Sequence, residues 1–114
     1  MSFFESEVVR AEMTEISQLQ EEIYHNVFQF FKMTKEDKIK HVDLLQKLLN
    51  RQQVLYTRLS LSDDPEAKSM KQRISESAEM MGLDANVDMN VIFGNMSKLI
   101  DVMRQQIDKT DLKD

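Results

Sequence analysis

Residues 9–30, VRAEMTEISQLQEEIYHNVFQF, place Val9, Ile16, Ile23 and Phe30 at intervals of seven. The same interval returns at Val42, Leu49 and Tyr56. An apolar repeat of seven marks a helix that buries one stripe against another helix. With 2 Gly and 1 Pro in 114 residues, the chain has few places to break. The fold class expected from this pattern is all-α.

Working outward, apolar residues at 9, 13, 16, 19, 23, 27 and 30 step by three and four, and Glu12, Glu15, Glu21 and Glu22 fall mostly off that face. A first helix is expected over about 4–31, with Ser2 or Ser6 as its cap. At ~1.5 Å per residue it reaches about 40 Å, so its stripe needs an equally long neighbour. Thr34 and Asp37 form a shortened capping box at the start of a second helix, 35–60. Its face is Ile39, Val42, Leu45, Leu49, Tyr56 and Leu59, widened by Leu48 and Leu55. The short link makes the two helices antiparallel neighbours. Asp64 caps and Pro65 opens a third helix, 65–81, with Ala67, Met70, Ile74, Ala78 and Met81 on its face, and Gly82 stops it. A fourth helix is expected over 85–108, with Met89, Met96 and Met103 at sevens beside Ile92, Phe93, Leu99, Ile100 and Ile107. Gly94 inside it leaves room for a neighbouring backbone. A frayed tail ends the chain. The whole, 1–114, is expected to be one domain, an antiparallel bundle built on a long hairpin plus two further helices.

That length suffices to bury about two-thirds of the unfolded surface. There is no Cys, which excludes disulfides and thiolate metal sites and fits a reducing cytoplasm. No window approaches the ~20 apolar residues of a membrane span, and the opening residues lack the basic stretch and apolar run of a secretion signal. The net charge of −5 disfavours nucleic acid as a partner. That charge is uneven: residues 1–31 carry −5 and residues 32–59 carry +4. Flanks of a hairpin that attract one another explain this, each exposed pair contributing roughly 0–1 kcal/mol. A basic strip for an acidic partner explains it as well.

Catalytic signatures are sparse. His25 and His41 are the only histidines, and both read as surface residues off the apolar stripes. Glu22-Ile23-Tyr24-His25 is one copy of a Glu-x-x-His pattern of which a di-iron bundle needs two. Glu21 and His25 offer two ligands where zinc takes three or four from protein. The carboxylate pairs Glu21-Glu22, Glu36-Asp37 and Asp63-Asp64 sit on a solvated face or at helix starts, not in the two contrasting environments acid–base catalysis needs. No phosphate loop, nucleotide fingerprint or Ser-His-Asp set is present. The expectation is no catalytic residue, no cofactor and no metal.

Three runs carry a resemblance: Phe3-Phe4-Glu5-Ser6-Glu7-Val8-Val9 at the start, Leu59-Ser60-Leu61-Ser62-Asp63-Asp64 after the second helix, and Gly82-Leu83 before the last. Together they resemble a small family of cyanobacterial and cyanophage proteins known only as a domain of unknown function. Asp84-Ala85-Asn86 departs from it, standing where a Thr-Pro cap is usual. The resemblance implies an all-helical cytoplasmic protein and transfers no catalytic residue.

The function expected is a non-enzymatic protein-binding or adaptor module that self-associates as a dimer. Phe3, Phe4, Phe28 and Phe31 are the candidate docking residues, because staggered positions cannot all face one partner helix. Met89, Met96 and Met103 are added as a flexible apolar groove, unless they simply fill an irregular core. The alternative is a regulatory binder of an acidic target, nucleic acid or RNA polymerase, through Lys35, Lys38, Lys40, Lys47 and Arg51. Ile23→Asp is expected to unfold the chain and Glu22→Ala to be silent.

Overall fold

A computed structural model describes residues 2–84 and 88–111. It is an all-α bundle of four helices: α1 Glu7–Val27, α2 Lys35–Leu61, α3 Pro65–Met80 and α4 Met89–Asp111. Short 3-10 turns, Phe3–Glu5 and Phe30–Lys32, flank α1. No strand occurs among the described residues. The expected start of the last helix at 85 lies outside the described residues, as does the part of the expected frayed tail over 112–114; residues 109–111, also expected to fray, continue α4.

Capping chemistry sets the ends of the elements. The Thr34 hydroxyl accepts from the Asp37 N–H at 3.2 Å, opening α2. One Asp64 oxygen accepts from the Glu66 N–H at 2.9 Å, with Pro65 at the first helical position. Gly82, at φ 91°, ends α3: its N–H reaches the Glu79 carbonyl at 2.9 Å and the Leu83 N–H reaches that of Ala78 at 3.0 Å. These two bonds satisfy carbonyls a helix end otherwise leaves open. Gly94 differs from its expected role, because a Cβ built there meets nothing within 4 Å and no backbone comes close.

The first helix is shorter than 4–31 at both ends. Ser6 is extended (φ −60°, ψ 133°), which turns Phe3 inward. The second Asp64 oxygen accepts the Phe3 N–H, fastening the start of the chain to the turn before α3. At the other end Phe28 and Gln29 form a turn that swings Phe30 over α2.

α2 is the spine, and α1 and α4 both run antiparallel to it. Glu12 meets Arg58 and Glu15 meets Arg51 on one side; Lys35 meets Asp108 and Asp43 meets Arg104 on the other. The main apolar seam joins α2 to α4, with Val42 and Leu49 against Phe93, Ile100 and Ile107. Phe30, Ile39, Leu45, Tyr56, Met89 and Met103 pack around it. A second cluster gathers Phe3, Val9, Leu59 and Ala67, flanked by Phe4, Leu55, Met70 and Ile74, where α3 crosses the end of α2.

Burial is therefore distributed differently from the seven-residue repeat of α1. Val9 and Leu19 are buried on that helix, but Ile16 and Ile23 are only half-buried. An aspartate at 23 keeps part of its water, so the full unfolding expected of Ile23→Asp no longer follows. The extents of 55 × 32 × 20 Å explain the difference. The shortest side is about two helix diameters. The radius of gyration, 16.7 Å, exceeds the ~13 Å of a compact domain of this length, so apolar stripes outnumber covering helices.

Candidate protein-docking surface

The 3-10 turn and the start of α2 build one end of the molecule. Phe28 and Phe31 are 91% and 89% exposed, while Phe30 between them is half-buried against the seam. Three phenylalanines within four positions of a tight turn cannot share one direction. The phenyl rings of Phe30 and Phe31 meet edge-on at 5.9 Å. The Lys38 ammonium lies 5.6 Å from the Phe30 ring centre.

Phe31 also forms the lip of a cleft of about 630 Å³, lined among others by Met33, Val102, Met103 and Ile107, with Lys35 and Lys38 in its wall. From Val102 the apolar surface continues along α4 through exposed Leu99 and Met96. Val27, next to Phe28 in the chain, is also exposed. Leu99, Val102, Met33 and the cleft were not singled out from sequence. The signal was present: Ile92, Met96, Leu99 and Met103 form a second stripe beside Phe93, Ile100 and Ile107. One neighbour, α2, covers the latter and reaches Met103, which leaves Met96 and Leu99 exposed.

The candidate residues are dispersed. Phe3, 9% exposed, is in the core and so leaves the docking set; half-buried Phe4 meets it edge-on at 5.0 Å. Both are held there by the Asp64 tether and the Ala67 face of α3. Met89 and Met103 pack against the seam, and Met96 is exposed. Thus two of the three methionines fill core, and no separate methionine groove forms.

The basic residues divide likewise. Lys47 and Arg51 both reach Glu15, at 3.8 and 3.2 Å, and Lys35 reaches Asp108 at 3.8 Å. These pairs join α2 to its flanking helices. Among the described residues Lys38 and Lys40 enter no ion pair.

His41 corrects the reading of both histidines as surface residues. It is 5% exposed, tilted against Phe30 at 5.4 Å, and its Nδ1 lacks a partner. Burial lowers its pKa below the ordinary histidine value. The swing of Phe30 at the turn covers it, which the α2 repeat alone does not foretell. Among the described residues no group of three or more His, Cys, Asp or Glu converges on a point where a metal would sit.

The fold and this surface define an all-α protein with an exposed aromatic turn, and none of its described helices is long and apolar enough to cross a membrane. Residues 1–107 match the family described as a domain of unknown function, DUF1825, and the chain belongs to that family. No curated protein and no solved structure is significantly similar to it.

Proposed function

We propose that this chain is a non-enzymatic protein-binding module, an adaptor that self-associates as a dimer through the apolar band of Phe28, Phe31, Val102, Leu99 and Met96. The observation that carries the reading is the near-complete exposure of two phenylalanines on one turn. Burying a phenylalanine contributes roughly 1.5–3 kcal/mol, and exposed apolar residues gathered at one end of a molecule mark an interface. A reducing cytoplasm fits the absence of Cys.

Light scattering across concentrations is the test. The dimer is expected at tens of micromolar, and the Phe28→Ser, Phe31→Ser double variant is expected to be monomeric. A native chain that stays monomeric throughout removes the self-association.

The second reading is an acidic target bound at the same end. Lys38 and Lys40, outside the ion pairs, favour it. Lys35, Lys47 and Arg51 contribute less, being engaged within the chain. Affinity that collapses between low and moderate salt separates this reading from apolar contact.

A further inference from the structure

From the neighbouring positions of Phe28 and the cleft, we infer that two copies interlock, the Phe28 ring of each entering the cleft of the other. The inference rests on self-association through the apolar band and names how that contact is made.

A projecting ring and a receiving cleft stand side by side. Phe28 projects from the turn, and Phe31, three residues on, is the lip of the cleft. In a two-fold dimer every contact occurs twice, so a surface carrying both a knob and its hole can satisfy both with one axis. The cleft, about 630 Å³, lies within the roughly 300–1,000 Å³ range that encloses compact organic groups, and Met33, Val102 and Ile107 give it apolar walls.

Charge points the same way. The cleft wall carries Lys38, in no ion pair among the described residues, beside Lys35, which is paired with Asp108 at 3.8 Å. Glu21 and Glu22 lie on α1 about two turns before Phe28, exposed and, among the described residues, outside any ion pair. When Phe28 enters the neighbour's cleft, these carboxylates approach that copy's Lys38, and the arrangement is reciprocal. The acidic first segment of one chain thereby meets the basic second segment of the other.

The area is of the right order. Phe28, Phe31, Leu99, Val102 and Val27 together expose on the order of 500 Å², to which the cleft walls add, against the ~800 Å² per partner of a standard interface.

Sedimentation equilibrium on the full chain tests the interlock with two variants, Phe28→Ser to remove the knob and Val102→Trp to fill the cleft. Both positions are exposed, and matching thermal melts establish that the fold is intact; Gln106→Trp, also in the cleft wall, replaces Val102→Trp if that variant unfolds. Each variant alone is expected to dimerise about tenfold or more weakly than the native chain. An equimolar mixture is expected to recover association, because it reconstitutes one intact knob and cleft. A monomeric native chain overturns the self-association itself. A native dimer with Phe28→Ser unaffected, or a mixture no tighter than its components, overturns the interlock and leaves self-association standing.

Discussion

Truncating Leu49 distinguishes the α2–α4 seam from the α1 stripe as the structural core. Leu49 is buried between Phe93 and Ile100 in the middle of α2. Leu→Ala in a packed core costs about 2–5 kcal/mol, the spread reflecting how far the site collapses. A molecule whose shortest extent is 20 Å has little surrounding structure to hold a void open, which places the cost near 3 kcal/mol. With an unfolding entropy of about 2.1 cal/mol/K per residue, that lowers the melting temperature by about 12 °C. Ile23, half-buried on α1, is expected to lose only about 1 kcal/mol on the same truncation, or about 4 °C. Far-UV circular dichroism melts, with urea titrations for the free energies, measure both. Equal losses for Leu49→Ala and Ile23→Ala refute the assignment of the principal seam to α2 and α4.

Two further outcomes follow from single side chains. His41 is neutral and buried when folded, and in the unfolded chain it takes up a proton near its ordinary value of 6.5. Below that value the unfolded state binds more protons, so stability is full above 6.5 and is lost as the pH falls toward the lower folded value. Melts between neutral and mildly acid pH should show this loss, and a His41→Leu chain that keeps the whole of it removes His41 as the cause. Asp64→Ala removes both the α3 cap and the acceptor for the Phe3 N–H, costing about 1–2 kcal/mol by thermal melt. A loss no greater than that of Asp63→Ala speaks against the double role.

The local chemistry of the fold could be read from the chain. Thr34, Asp64-Pro65 and Gly82 act through groups within a few residues of themselves, so their roles need no knowledge of the rest. Periodicity likewise reveals that a helix has an apolar face. It does not say which helix covers that face. Hence the α1 stripe, the most regular in the sequence, is partly open, while the wider α4 face takes the spine. Phe3 is buried by Asp64 and Ala67, some sixty positions away, and no local pattern announces that. Phe28 and Phe31 stay outside because the chain turns at residue 28, where the apolar spacing alone extends a helix to 31.

The two sides of α2 are joined by the same kinds of contact in different proportions. Both sides carry surface ion pairs, Lys35–Asp108 and Asp43–Arg104 toward α4 and Glu12 and Glu15 with Arg58, Arg51 and Lys47 toward α1, but the longer row of buried apolar residues lies toward α4. Raising the ionic strength weakens the ion pairs on both sides and leaves the joint toward α4 its row of buried apolar residues. The first helix, with Ile16 and Ile23 only half-buried, is expected to exchange its amides with deuterium before the second and fourth.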